Sequence, residues 1–145
     1  MRLVGMLLLM SAAMTACAAK AAPNFLNVNE ADFDRRVVEE ANAYRAGKGL
    51  GALQYSDRLH DIAQKHADGM RREQKLTHAG FQQRFADSGA RTCVENLAAG
   101  SITAEKTVRG WIDSPGHNKN LLNPKTTYAA VAHAGPYIVY FACGF

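Results

Sequence analysis

Two histidines and one glutamate lie in three short stretches whose composition is more typical of a functional site than of a linker. His117 follows a Ser-Pro-Gly turn within Trp111–Leu122, a stretch that also holds the single tryptophan of the chain. His78 lies in an upstream turn that contains a glycine, and Glu95 lies in the short acidic stretch Val94–Leu97. We predict that these three stretches meet in space.

Two imidazoles and a carboxylate that converge in this way have two chemical uses. They can hold zinc or a similar divalent metal, because neutral imidazole nitrogen and carboxylate oxygen suit such an ion. Three protein ligands and a water would then form a catalytic type of centre, or Glu95 would act as the base on that water. Without a metal, Glu95 would form a charge-assisted hydrogen bond to either histidine, lock the loops and raise the imidazole pKa. The long separations along the chain are unlike a compact metal motif, so the sequence leaves both uses open.

Length and charge limit the class of protein. A chain of 145 residues is expected to form one domain. The net charge of +4 arises from 17 basic and 13 acidic residues that are scattered along the sequence. No basic run is interleaved with aromatic residues, so nucleic-acid binding is excluded as the main function.

The first 17 residues predict export. A positive start is followed by a short apolar run that is too short to span a bilayer as a mature helix. The segment Met14–Cys17 resembles the lipobox of bacterial lipoproteins, in which the cysteine is lipidated and becomes the mature N-terminus. We therefore expect residues 1–17 to be a signal peptide with a lipobox and residues 18–29 to be a tether. Ordinary cleavage after Ala19 or Ala22 is the alternative.

The three cysteines are consistent with lipidation. If Cys17 carries lipid, then Cys93 and Cys143 remain as an even pair, which is expected to form a disulfide in an exported protein. A cysteine-protease site built from Cys93 and His117 is rejected, because a disulfide sulfur cannot serve as the nucleophile.

The remaining pattern predicts the elements that position these residues. A first helix begins near Glu30 and ends at two glycines, and Ser56 and Thr103 are predicted to cap two later helices. A short helical piece lies between His78 and Glu95, and the Ser-Pro-Gly turn is expected to end one helix before His117 starts another. The C-terminal segment predicts a β-hairpin of β-branched and aromatic strands. Helices followed by a hairpin predict an α+β fold, with helices packed on a small antiparallel sheet.

Several other residues receive structural predictions. His66 lies on the apolar stripe of the second helix and is interpreted as a core residue, whereas His60 lies off that stripe and is expected to be solvated. Trp111 is predicted to lie in the core, since its spacing from neighbouring apolar residues points inward. Asn96 is expected to satisfy buried backbone groups beside Glu95.

Taken in order, six motifs of the chain resemble the CAP superfamily, which includes cysteine-rich secretory proteins, antigen 5 and plant pathogenesis-related class 1 proteins. The resemblance is to the short bacterial branch, covers about Phe33 to Phe145, and identifies residues 30–145 as the domain. The motifs are Glu40–Arg45, Leu59–Gln64, Thr77–His78, Glu95–Ala98, Trp111–His117 and Asn120–Pro124. The resemblance implies an α-β-α sandwich with a cleft lined by two histidines and two acidic residues.

By motif, His78 matches the first histidine of that cleft, Glu95 the first acid and His117 the second histidine. The second acid is altered, because Ser114 stands at its position with Asp113 beside it. The implied metal ligands are therefore reduced to His78, Glu95 and His117, which argues against strong metal binding.

We expect an exported binding module of the cell envelope, whose cleft takes a small or lipid-like ligand and needs no cofactor. One alternative is a metal-assisted hydrolase of peptide or cell-wall material that uses zinc, and another is an extracellular scaffold without a reaction. The expected location is the cell envelope, through a lipid anchor facing the periplasm or in the outer membrane. Without lipidation the expected location is periplasmic or extracellular. The N-terminal lipid is the only expected link to a membrane.

Overall fold

A computed structural model describes residues 30–100 and 103–145. The predicted signal peptide, the lipidation of Cys17 and the tether over residues 18–29 lie outside the described residues. The helices of the described part are α1 (Glu30–Ala46), α2 (Asp57–Glu73), α3 (Phe81–Ser88), α4 (Ala104–Ile112) and α5 (Pro115–Leu121). The strands are β1 (Gln54–Tyr55), β2 (Thr92–Ala99), β3 (Tyr128–Ala134) and β4 (Tyr137–Gly144).

Local sequence accounts for where two of the helices begin. Ser56 has extended backbone angles, and its hydroxyl accepts a hydrogen bond from the backbone N–H of Leu59. Thr103 caps α4 in the same way by accepting from the N–H of Lys106. Each hydroxyl satisfies a donor that the first helical turn leaves unpaired. Both predicted caps are confirmed.

The start of α5 differs from its prediction. The Ser-Pro-Gly turn was expected to precede a helix that starts at His117, but Pro115 and Gly116 are already the first two residues of α5. Proline is well suited to the first helical position, because its ring fixes φ near the helical value and its missing N–H would have no partner there. His117 therefore lies within the first turn of α5 rather than at its start.

The sheet has the strand order β1-β3-β4-β2. β3 and β4 form the predicted antiparallel hairpin, which turns at Gly135 with a φ of 57°. β2 pairs antiparallel with the other side of β4, and the two-residue β1 adds a short parallel pairing to β3. The strand β2 is therefore at one edge of the sheet, which determines where the cleft lies.

Helices cover both faces of this sheet, and alternate residues of β4 face opposite helical layers. Tyr140 packs with α1 and α4 in one buried cluster, whereas Phe141 packs with α2 in the other. Trp111 is 2% exposed and belongs to the first cluster, as predicted. The α+β class and the α-β-α sandwich are confirmed. No helix of residues 30–100 and 103–145 is long and apolar enough to cross a membrane.

A disulfide joins the edge strand to the centre of the sheet. Cys93 on β2 and Cys143 on β4 are register partners, with Cα atoms 4.1 Å apart. The predicted pairing is confirmed.

Candidate functional site

The buried carboxylate of Glu95 is the centre of the site. Glu95 is 4% exposed and projects from β2 towards α3, where Arg84 binds it in a bidentate ion pair. The Nε of Arg84 donates to Oε2 at 2.7 Å, and Nη2 donates to Oε1 at 2.8 Å. Two parallel charge-assisted hydrogen bonds of this kind fix both the position and the orientation of a carboxylate.

Sequence reasoning missed Arg84. The short helix that contains it was predicted, but no role was given to its arginine. A signal was present, since Arg84 lies three residues after Phe81 and four before Ser88, on the inward stripe of the helix. A cation on an inward stripe needs a buried partner, and the nearby motif glutamate was the obvious one.

His78 meets Glu95 from the loop that precedes α3. Its Nδ1 lies 2.8 Å from Oε1 of Glu95, while more than half of the side chain remains exposed. The loop is held in place by His66 Nε2, which lies 2.8 Å from the Thr77 carbonyl, and by Arg84 Nη1, which donates to the Ala79 carbonyl at 2.8 Å. Arg84 therefore positions both the carboxylate and the loop that presents His78.

His117 faces the same space from α5, which forms the opposite wall. The side-chain amide of Asn96 donates to the backbone carbonyl of His117 at 3.0 Å, and this is the kind of buried backbone contact that was predicted for Asn96. The amide of Asn120 donates both to the Glu95 carbonyl and to Oδ1 of Asn96. These bonds tie α5 to β2 and set the distance across the cleft.

The three predicted stretches thus surround one open cleft of about 500 Å³. A volume of this size is within the range of small-molecule sites. Its lining combines two imidazoles and an amide with an aromatic ring and the disulfide: His78, Phe81, Cys93, Val94, Glu95, Gly116, His117 and Asn120. A second groove of about 540 Å³ lies between α2 and α3. Arg84, which binds Glu95, is part of the lining of this second groove.

Ser114 and Asp113 do not line this cleft. Asp113 is exposed at the C-terminal end of α4, and Ser114 stands at the N-terminal end of α5. The resemblance placed the second acid of the cleft here, but in this chain neither side chain contributes to the lining.

A zinc ion does not fit the donor set as it stands. Both oxygens of Glu95 are bound by the guanidinium of Arg84, so a divalent cation at this carboxylate would meet a fixed positive charge. Within residues 30–100 and 103–145, no group of three or more His, Cys, Asp or Glu side chains is arranged to hold a metal ion. We therefore derive no chemistry through a metal.

Burial favours the neutral form of two histidines around the carboxylate. Burial lowers the pKa of His117, and the neighbouring His78 lowers it further. Burial also lowers the pKa of His66, with the Arg84 guanidinium as the next cause. Both rings are therefore neutral near pH 7, and each offers one hydrogen-bond donor and one acceptor.

The predictions for His66 and His60 have different outcomes. His66 is largely buried and bonded to the loop carbonyl of Thr77, so its interpretation as a core residue is confirmed, although it lies only 4.0 Å from Glu95. The prediction that His60 is solvated holds only in part. Its side chain is 28% exposed and its Nε2 lies 3.5 Å from the buried carboxylate of Asp34. The spacing along α2 alone does not reveal this carboxylate, which belongs to α1.

The layered fold and the cleft at the sheet edge define a domain of the SCP type. The profile of the cysteine-rich secretory protein (CAP) family matches residues 38–145, and the chain belongs to that family. The uncharacterized protein YkwD of Bacillus subtilis is 32% identical over 109 residues, which are 70% of this chain and 42% of that protein. The uncharacterized membrane protein YlbC of the same organism is 24% identical over 105 residues, or 68% of this chain and 30% of that protein. The chain spans less than half the length of either relative.

Solved structures share the fold at lower identity. An extracellular SCP-domain protein from Bacillus anthracis superimposes with a TM-score of 0.75 at 22% identity, covering 80% of this chain and 41% of that chain. An outer surface protein from Borrelia burgdorferi superimposes with a TM-score of 0.67 at 23% identity, covering 76% of this chain and 90% of that chain. These similarities establish the fold.

The lowered pKa of His66 predicts a pH-dependent stability. The unfolded chain, in which the imidazole has its ordinary pKa of about 6.5, binds more protons than the folded chain as the pH falls below that value. The free energy of unfolding should therefore decrease between about pH 7 and pH 5.5. Urea titrations across this range should show a smaller decrease for His66→Gln than for the unsubstituted chain. Equal decreases in the two proteins would contradict the assignment.

Proposed function

We propose that this chain is an exported binding module whose cleft around His78, Glu95 and His117 recognises a small or lipid-like ligand. The observation that carries the proposal is the compensated charge of the cleft. The carboxylate of Glu95 is compensated by Arg84, and burial favours the neutral form of His117 by lowering its pKa. A ligand therefore meets the directional hydrogen-bonding groups of His117 and Asn120 beside a compensated carboxylate.

The lining supports a ligand with both polar and apolar parts. The imidazole of His117 and the amide of Asn120 lie on one wall, and the ring of Phe81 and the side chain of Val94 provide apolar surface. Pockets for small molecules combine a mostly apolar lining with a few fixed polar groups in this way. The bonds of Asn120 and Arg84 hold the polar groups in place before a ligand arrives, which limits the entropy lost on binding.

Export and anchoring are part of the proposal. Two proteins of the same fold are described as extracellular and as an outer surface protein, which supports an exported location for this chain. The lipobox-like segment ending at Cys17 supports a lipid anchor.

Mass spectrometry of the mature protein should find Cys17 at the N-terminus with acyl chains attached. A mature chain that starts after Ala19 or Ala22 would contradict the anchor and leave export intact.

Ligand recognition by the cleft is testable through thermal stability. A ligand that binds only the folded state raises the apparent Tm. We expect a Tm increase of the full chain with at least one of three probes: palmitate, phosphatidylglycerol or a disaccharide of cell-wall amino sugars. Loss of one or two hydrogen bonds, each about 0.5–1.5 kcal/mol, should make His117→Ala bind the same probe roughly 2- to 160-fold more weakly.

Arg109→Ala, an exposed position on α4, is the matched control and should keep the increase. No Tm increase with any probe, or an increase that persists in His117→Ala, would overturn the cleft as the binding site.

A further inference from the structure

The floor of the cleft is the open edge of a β-strand. β2 pairs with β4 on one side only, because it is the last strand in the order β1-β3-β4-β2. Cys93 and Val94 of this strand line the cleft together with side chains from the α3 loop and from α5. An edge strand presents backbone donors and acceptors that another extended chain can pair with.

The register identifies which backbone groups point outward. In an antiparallel pair, residues with closely spaced Cα atoms are those that do not exchange hydrogen bonds. Cys93 and Cys143 form such a narrow pair, with Cα atoms 4.1 Å apart, so the N–H and C=O of Cys93 point away from β4. By alternation the same holds for Glu95 and Leu97. Their carbonyls do face outward, where Asn120 and Trp111 donate to them.

Over Cys93–Glu95, three outward backbone groups have no hydrogen-bond partner among the described residues. They are the N–H and C=O of Cys93 and the N–H of Glu95. Cys93 and Val94 are only partly buried, so the two groups of Cys93 border the cleft rather than the packed interior. The N–H of Glu95 is at the next outward position of the strand, in a residue that is itself buried. One residue of an extended peptide could pair with both groups of Cys93, as in an added antiparallel strand.

The groove beyond the cleft carries positive charge. Cys93, Val94 and Asn120 also line a neighbouring space of about 500 Å³ that continues along β2, and Lys119 and Lys125 border it. We call the cleft and this continuation together the β2 groove. Glu95 is the only acidic side chain in the described lining of the β2 groove, and Arg84 compensates it. The uncompensated charges are those of the two lysines.

We propose that the β2 groove binds an extended acidic peptide segment as an additional strand on β2. The N–H and C=O of Cys93 and the N–H of Glu95 would pair with the peptide backbone, and Lys119 and Lys125 would favour its acidic side chains. This partner goes beyond the small ligand of the proposed function and does not depend on it. The two are separable, since His117→Ala tests the first and substitution of the lysines tests the second.

The probe is a six-residue peptide that alternates glutamate with valine, titrated against the full chain. Backbone amide exchange gives the decisive readout, because pairing must slow hydrogen exchange at Cys93 and Glu95. Fluorescence-anisotropy titration of the labelled peptide should show that the lysine-valine counterpart binds at least about fivefold more weakly, as expected for loss of two exposed charge pairs. Methylation of alternate peptide nitrogens on the pairing edge should abolish binding.

Charge-reversal variants provide matched controls. Lys119→Glu/Lys125→Glu should lower the affinity for the glutamate-valine peptide by about fivefold or more. Lys106→Glu/Arg109→Glu makes the same change in net charge at exposed positions of α4 outside the groove, and it should leave affinity within about twofold.

Three outcomes would overturn the proposal. One is equal affinity for the lysine-valine peptide, and another is binding without slowed exchange at Cys93 and Glu95. The third is exchange at these amides that slows with protein concentration in the absence of peptide, which would show that a second copy of the chain covers the edge.

Discussion

Replacing Arg84 with Met is expected to lower the free energy of unfolding by about 3–5 kcal/mol, because it leaves the buried Glu95 carboxylate without its ion-pair partner. Glu95 is 4% exposed, and both of its oxygens accept hydrogen bonds from Arg84. His78 contacts only Oε1 and is itself more than half exposed, so it does not replace the lost partner. Urea denaturation at pH 7 measures the change.

The double variant Arg84→Met/Glu95→Met distinguishes this cause from a simple packing loss. Replacing both members of a buried ion pair with apolar residues costs far less than removing one. The double variant should therefore be more stable than Arg84→Met alone. Arg58→Met is the matched control, since Arg58 is exposed and, within the described part of the chain, its side chain donates only to the Asp87 carbonyl. A double variant that is less stable than the single one would contradict the role assigned to Arg84.

Removing the disulfide should lower the free energy of unfolding by about 4 kcal/mol, because the unfolded chain regains the loop-closure entropy. The bond joins Cys93 and Cys143, which are 50 residues apart in the sequence. The substitution Cys93→Ala/Cys143→Ala avoids burying a new hydroxyl, because Cys143 is fully buried. Guanidinium denaturation of the oxidised chain and of this variant gives the difference.

Reduction provides the internal control for the disulfide. A reducing agent should lower the stability of the unsubstituted chain towards that of Cys93→Ala/Cys143→Ala and leave the variant unchanged. A difference below about 1 kcal/mol between the oxidised chain and the variant would show that the β2–β4 pairing already restricts the unfolded ensemble, contrary to the expectation.

Local patterns in the sequence were sufficient to predict most of the helices, two of their caps and the C-terminal hairpin. Ser56 and Thr103 cap helices because a hydroxyl at that position satisfies the donor three residues later, an interaction that depends only on neighbours along the chain. The C-terminal hairpin follows in the same way from β-branched and aromatic runs on either side of Gly135. The family resemblance added the order of the motifs, and it indicated that His78, Glu95 and His117 share a cleft.

Contacts between distant segments were not readable in this way. The contact of His60 with Asp34 was not predicted, because Asp34 belongs to α1 and a helical pattern in α2 contains no information about a neighbouring helix. The family resemblance put Ser114, with Asp113 beside it, at the position of the second acid of the cleft. Both residues lie where α4 meets α5, away from the lining. Spacing along the chain does not predict the direction of a side chain in a turn, because that direction depends on how the two helices pack.

The sequence by itself indicated the helices apart from the start of α5, the hairpin and the family, since these depend on periodicity, capping chemistry and motif order. The disulfide partners followed from the cysteine count together with the expectation that Cys17 is lipidated. Only the tertiary structure decided what the site is. It paired Glu95 with Arg84, which removed the carboxylate from the set of available metal ligands. It also left the backbone of Cys93 unpaired on an open strand edge beside two lysines. Both results arise because the ion pair and the strand edge depend on distances between segments that are brought together only by packing helices on both faces of the sheet.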